Sequence, residues 1–398
     1  MKSVLIIAPL TFDACERYAQ AAAELGVEAC FAIPGVSNIP YDTWQLDRYR
    51  TICVERIDND ATALIEALAS FGHIDAVVAG GEFSVAAADS VARALGLRCS
   101  MDGDPSVLRN KAKMRHAFAQ HGVPQPRLYG AASSIAELRE LIVDIDRYPV
   151  VSKPADMAGS WYVTLNHSAD EIERNAAAIF ADRVALSTGM SFAGECLLEA
   201  YFHGDEYSAE VVVQDARIEH LFVTRKFLSP LPNFDEIGHL SGPALLEGAL
   251  RAQVEDAAQR LLDAARVRNS IVHIEFKVSP DGTMAVIEAG CRVAGDRIST
   301  LVNLAFGVNL EKAMITVKLG SDLAAARADG HQPSCYGVRF AFAGQRAAEV
   351  PGARVLQKSI EPDHAPIDGF SRTHLVNRIG YEVLQVPSAE QFAVALQG

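Results

Sequence analysis

The 398-residue chain carries 50 acidic and 36 basic side chains, a formal net charge of −14, with 49 % apolar and 22 % charged residues. This is the balance of an ordinary soluble globular protein, long enough for two to four lobes. The negative field argues against a broad phosphate-binding surface, so nucleic acid is not an expected partner, although a few placed lysines are enough to hold a nucleotide.

Seven scattered cysteines (Cys15, Cys30, Cys53, Cys99, Cys196, Cys291 and Cys335) include no C-x-x-C pair. Neither a disulfide framework nor a zinc cluster is expected, and the pattern suits a reducing compartment. The apolar stretch over residues 4–11 is too short for a signal peptide and runs into Asp13 and Glu16. No apolar run approaches the ~20 residues that span a bilayer. The expected location is cytoplasmic, with no membrane partner.

Residues 1–105 read as alternating strand and helix, the pattern of a parallel sheet with helices on both faces. Residues 3–9 form a buried strand, 13–25 a helix closed by Gly26, and 27–33 a second strand. Residues 61–71 are helical, 74–79 a strand, and 85–95 a helix ended by Gly96. The turn Gly80-Gly81-Glu82 follows a strand and is placed to face a ligand, but it is not the G-x-G-x-x-G of dinucleotide folds; no G-x-x-x-x-G-K-[ST] occurs either.

A second region over 106–200 begins with the helix 111–121, ended by Gly122-Val123-Pro124, and an extended stretch 127–129. Residues 135–145 are helical, and 149–153 form a short strand that leads into a small-residue loop through Gly159. Residues 195–201 and 206–213 read as strands joined by His203-Gly204-Asp205, with an ordinary hairpin as the plain reading. In the third region, 201–320, strands 271–278 and 284–288 flank Ser279-Pro280-Asp281-Gly282, a strong hairpin signal. Helices are expected over 254–266 and 298–304, and 321–398 reads as a small β-rich lobe with a strand at 338–342.

Two lysines, Lys111 and Lys153, sit on separate elements from which point charges can grip phosphates. The loop Ala158-Gly159-Ser160 after Lys153 lets backbone N–H groups approach the same anion. Glu199 and Glu206 bracket an extended linker through Phe202, whose bare backbone suits an adenine edge and whose second carboxylate suits ribose hydroxyls. Glu275 and Glu288 lie on the two strands of the Asp281-Gly282 hairpin, where antiparallel pairing makes them neighbours and a magnesium ion would relieve their repulsion. Arg292, four residues on, suits a transferring phosphoryl group.

The ordered series Lys111, Lys153 with its loop, Glu199 to Glu206, Glu275, Glu288 and Arg292 resembles the ATP-grasp superfamily over roughly residues 1–320. Glu288-x-x-x-Arg292-x-x-Gly295 and Ile237-Gly238-His239 look most like the L-amino acid ligases that make dipeptides. The resemblance implies an α/β chain: a parallel-sheet N-terminal domain, ATP-grasp α+β lobes and a small C-terminal β-rich lobe. It implies that Lys111, Lys153 and Ser160 contact ATP phosphates, Glu199 and Phe202 the adenine, and Glu206 the ribose. Glu275 and Glu288 would hold Mg2+, with Mn2+ as the alternative ion, Arg292 the reacting carboxyl, and His239 would sit at the amine substrate. The implied reaction is ADP-forming ligation of a small carboxylate to an amine through an acyl-phosphate, by a homodimer. Two departures stand out: Gly290 occupies a position where many ATP-grasp enzymes have a metal-binding asparagine, and the loop Met157-Ala158-Gly159-Ser160-Trp161 has one glycine where theirs has several. The rival readings are a bicarbonate-activating ATP-grasp enzyme and a nonenzymatic nucleotide-binding protein.

Overall fold

The architecture was established from a computed structural model that describes all residues except 182–183, 186–189, 246, 346–348, 363–364, 368–372 and 398. Strands Ser3–Ile7, Glu28–Pro34, Arg50–Val54 and Ala76–Ala79 form a parallel four-stranded sheet. Its spatial order is third, second, first, fourth, with Ser3–Ile7 wholly buried between neighbours. Helix Phe12–Glu24 starts where Thr11 caps Ala14 N–H, and Gly26 follows at φ +67°, the left-handed conformation that lets the chain turn back into the sheet. The strand Arg50–Val54, absent from the sequence reading, is mostly half-buried, and its neighbours Arg48, Arg50 and Glu55 hide the apolar signal of Ile52 and Val54.

Strands Leu128–Ala132, Cys196–Ala200, Val150–Pro154 and Thr164–Asn166 make a second, antiparallel sheet. Helices Ile135–Ile142 and Ala169–Ala181 bury Leu138, Ile172 and Ile179 against Val150 and Leu198 of this sheet, a small core separate from the rest.

The largest sheet has eight antiparallel strands. Its order runs Met284–Gly290, Ser270–Val278, Asp205–Gln214, Arg217–Leu228, Glu236–Ser241, Tyr336–Phe342, Arg378–Gln385, Arg354–Ile360. The β-rich C-terminal residues therefore continue the sheet that carries Glu275 and Glu288, through the pairing of His239 with Val338. The strands Cys196–Ala200 and Asp205–Gln214 do not form a hairpin. They belong to different sheets, and the linker 201–204 crosses between them. Gly204 is needed at that crossing, because a Cβ there would lie 2.3 Å from the Val278 carbonyl oxygen.

Helix Leu310–Leu319 packs on helix Phe12–Glu24 and on strand Ser270–Val278. Its Leu310, Met314 and Val317 share one core with Val4, Ile6 and Tyr18 of the first sheet and Val212 and Ile271 of the large one. That burial fastens the parallel domain to the back of the large sheet. No described helix is long and apolar enough to cross a membrane.

Candidate active site

A cleft of about 970 Å3, part of it open to solvent, lies between the two antiparallel sheets under the loop 155–163. Nine of the ten residues picked from the sequence line it: Lys111, Lys153, Ser160, Glu199, Phe202, Glu206, Glu275, Glu288 and Arg292. Residues up to 181 positions apart in sequence converge here, and the linker 201–204 carries the chain from an interior strand of one sheet to an interior strand of the other.

On the small sheet, Lys153 Nζ lies 2.8 Å from Glu199 Oε2 across the pairing of Cys196–Ala200 with Val150–Pro154. Arg115, fully buried on helix Lys111–Gln120, donates to Glu199 at 2.6 and 3.3 Å and to the Ile287 carbonyl at 2.6 Å. Burial opposes ionisation of Glu199, yet Arg115 and Lys153 together hold its carboxyl down at about 2. Burial also pulls Lys153 below the ordinary lysine range, against the attraction of Glu199. Lys111 opens its helix behind the Asn110 cap, and its Nζ reaches Glu288 Oε1 at 3.0 Å and the Met157 carbonyl at 2.7 Å. The loop that it contacts turns through left-handed backbone at Gly159, Ser160 and Tyr162. For the two non-glycine residues that conformation costs energy, and such strain clusters at ligand-binding loops.

On the large sheet, Glu275 and Glu288 are direct cross-strand partners, next to a bulge between Glu275 and Phe276. Lys226 is the positive centre of this wall. Its Nζ lies 2.9 Å from Glu206, 2.8 Å from Glu236 and 3.2 Å from Glu275. Burial works against its charge, but the three carboxylates raise Lys226 well above the usual lysine value. Glu275 also accepts from His273 Nε2 at 3.1 Å, and His273 Nδ1 faces Glu210 at 2.7 Å. Burial disfavours the imidazolium, and the Glu210 and Glu275 carboxylates outweigh it, raising His273 to about 9. Lys277 stands 3.6 Å from Glu206, with its ammonium over the rings of Tyr201 and Phe234 at 5.4 and 5.5 Å.

Arg292 is gripped by Glu82, the acid of the Gly80-Gly81-Glu82 turn at the end of a parallel strand. Burial resists the Glu82 charge, but Arg292, Arg109 and Lys111 keep its carboxyl low. Gly290 lies directly beside it: a Cβ on Gly290 would sit 3.0 Å from Glu82 Oε2. The space that an asparagine side chain would need is thus taken by a carboxylate from another domain.

His239 departs from expectation. The turn-rich segment 229–239 reads from sequence as a loop at the amine site, but His239 lies on the strand Glu236–Ser241, is 0 % exposed, and stands edge-on to Phe340 at 5.3 Å. It lines neither described cavity, so it has no route to an attacking amine. Sequence reasoning also passed over Arg115, Lys226 and Glu236, and named Glu82 only within the turn placed to face a ligand. A lysine amid Phe222, Val223 and Phe227 was the available signal for Lys226, since such a charge is buried only with partners.

Two buried lysines on separate elements, a cross-strand carboxylate pair and a carboxylate-held arginine thus surround one cleft between two antiparallel sheets. Residues 146–300 match the ATP-grasp domain model, so this chain carries that domain. It is 28 % identical over 377 residues to the uncharacterized protein y4rH of Sinorhizobium fredii, covering 88 % of this chain and 73 % of that one. It is 23 % identical over 258 residues to the alanine–anticapsin ligase of Bacillus subtilis, covering 61 % of this chain and 54 % of the ligase. The chain thus spans about half the length of that ligase. The fold is shared with the crystal structure of an L-amino acid ligase from Bacillus licheniformis, at 19 % identity and TM-score 0.76 over 100 % of this chain and 97 % of the other.

Proposed function

We propose that the protein joins a small carboxylate, an amino acid or close relative, to the amine of a second amino acid, with ATP converted to ADP and phosphate. The observation that carries this reading is the convergence of Lys111, Lys153, Glu275, Glu288 and Arg292 on one cleft. Binding alone would not need an arginine held in place by a buried carboxylate, whereas transfer of a phosphoryl group does.

In this reading Lys111 and Lys153 hold the triphosphate, with backbone N–H groups around Ser160 closing from above. Glu199 and the backbone at Phe202 face the adenine, and Glu206 the ribose. Glu275 and Glu288 offer hard oxygen donors on facing strands, a set that fits Mg2+ and also Mn2+. The ion would neutralise charge on the triphosphate. Arg292, fixed by Glu82, orients the substrate carboxylate towards the γ-phosphate and stabilises charge as the acyl-phosphate forms. The amine then attacks the acyl carbon, phosphate leaves, and the ammonium's proton passes to solvent or to the departing phosphate. Water would destroy the acyl-phosphate, so the loop 155–163 must cover the cleft while it exists.

The test is phosphate release over pairs of amino acids and small acids with mass detection of products. An amide product with ADP in equal amount supports the reading. ADP release that needs bicarbonate and no amino acid would overturn it.

A further inference from the structure

In the pairing of strands Asp205–Gln214 and Ser270–Val278, Glu210 stands directly opposite His273, and Ser208 directly opposite Glu275. Side chains two apart on a strand share a face, so His273 and Glu275 meet. His273 Nδ1 lies 2.7 Å from Glu210 Oε1, and Nε2 lies 3.1 Å from Glu275 Oε1. An ionised carboxylate only accepts, so both ring nitrogens donate. Glu210 is fully buried, its Oε2 has no hydrogen-bond partner, and His273 is its one ion-pair partner among the described residues.

Glu275 Oε1 is held twice, because Lys226 Nζ also reaches it at 3.2 Å. Glu275 Oε2 has no hydrogen-bond or ion-pair partner among the described residues, and the side chain lines the cleft. Glu288, opposite, repeats the arrangement: Lys111 takes its Oε1 at 3.0 Å, and its Oε2 has no such partner among the described residues. Each acid of the pair keeps one oxygen for a ligand in the cleft.

The two holds on Glu275 differ in kind. Lys226 divides its ammonium among Glu206, Glu236 and Glu275, at the end of a flexible stem. The His273 ring turns about only two side-chain torsions, and Glu210 fixes it from the far side. Its Nε2–H therefore meets Glu275 Oε1 from one direction. An apolar pair in place of Glu210 and His273 would bind the two strands about as firmly, since a buried ion pair often fails to outweigh its own desolvation. What the charged pair supplies beyond that is a donor aimed at Glu275.

Resting on the Mg2+ site of the ligase reading above, we propose that His273 is a positioning residue for that ion. Anchored by Glu210, it fixes the orientation of the Glu275 carboxyl so that Oε2 is presented beside Glu288. Neither His273 nor Glu210 lines the cleft, so both act through Glu275 and not on the ion or the nucleotide.

The test is Mn2+ binding to the protein–ADP complex, read from the electron paramagnetic resonance signal of the free ion. His273→Leu alone would leave Glu210 buried without a partner and endanger the fold, so the variants also carry Glu210→Gln. Glu210→Gln/His273→Leu should weaken Mn2+ binding roughly 10- to 100-fold, the range for losing an outer partner of a metal ligand, with metal-free ADP binding nearly unchanged. Glu210→Gln/His273→Gln, whose amide N–H can still donate to Glu275, should recover most of that loss. A purely structural pair would leave both variants like the wild type or weaken both alike. Wild-type Mn2+ affinity in Glu210→Gln/His273→Leu, equal losses in the two variants, or no Mn2+ binding by the wild-type complex would overturn the proposal. The two readings fail separately. Mn2+ binding that depends on His273 with no amide product would sink the ligase reading alone. Amide formation by the wild type, with Mn2+ affinity unchanged in Glu210→Gln/His273→Leu, would sink this one alone.

Discussion

Glu275 and Glu288 stand directly opposite each other on paired strands, each already facing a lysine: Lys226 lies 3.2 Å from Glu275 and Lys111 lies 3.0 Å from Glu288. Both carboxylates line the cleft wall. If they hold Mg2+, Glu288→Gln should raise the Mg2+ concentration for half-maximal rate at least ~10-fold and remove most product formation, with the circular-dichroism spectrum unchanged. Normal turnover at ordinary magnesium would exclude the assignment.

Arg292→Met should lower kcat by roughly 100- to 1,000-fold, the range for losing one preorganised donor at developing charge. Glu82→Gln should lower kcat less and leave the KM for ATP nearly unchanged, since Glu82 acts through Arg292. Steady-state kinetics on both variants distinguish this from general loss of fold, which would move both parameters.

His273 is raised to about 9 in the folded protein from an ordinary 6.5. A raised folded value means that its stabilising contribution is complete below pH 6.5 and is lost as pH climbs through 9. Unfolding free energy should therefore fall between pH 6.5 and 9, by an amount on the order of 3 kcal/mol if no other group offsets it. Denaturant titrations across that range should show the fall in the wild-type protein and a flatter profile in His273→Gln.

Arg115→Met should be among the most damaging substitutions outside the cleft wall. It leaves Glu199 buried with Lys153 as its one remaining cation among the described residues, a loss of about 3–5 kcal/mol. Double substitution with Glu199→Gln should recover part of it, measured as a non-additive change in the urea midpoint. Additive losses would show that the pair is not coupled.

His239→Ala should depress both half-reactions together. The substitution opens a buried cavity beside Phe340 and disturbs Glu236, at a cost of roughly 2–4 kcal/mol. ATP hydrolysis with the carboxylate alone and amide formation with the amine should fall in parallel. Selective loss of amine transfer would instead restore His239 as a base.

Limited proteolysis near Gly159 should slow when an ATP analogue is added, because ordered backbone N–H groups around Ser160 would close on the phosphates. Equal cleavage with and without the analogue would count against a lid.

The sequence by itself determined the features that short-range physics controls. The Asp281-Gly282 turn sets the hairpin register that places Glu275 against Glu288. Alternating strands and Gly-terminated helices announce the parallel domain, and Lys153 at the end of an apolar strand announces its loop. Only the tertiary structure decided the partners of these groups. Arg115 meets Glu199 across 84 residues and Glu82 meets Arg292 across 210, and no local pattern encodes such pairings. The linker 201–204 reads as a hairpin because its turn residues are the same whether the chain folds back or crosses to another sheet. His239 reads as a loop residue because Pro230, Pro232, Asn233 and Asp235 precede it and Gly238 interrupts its strand. What makes that segment a buried strand is pairing with Lys226 on one side and Val338, 99 residues away, on the other. Hydrogen bonds between distant strands and the matching of buried charges depend on which surfaces meet, and that is settled when the sheets assemble.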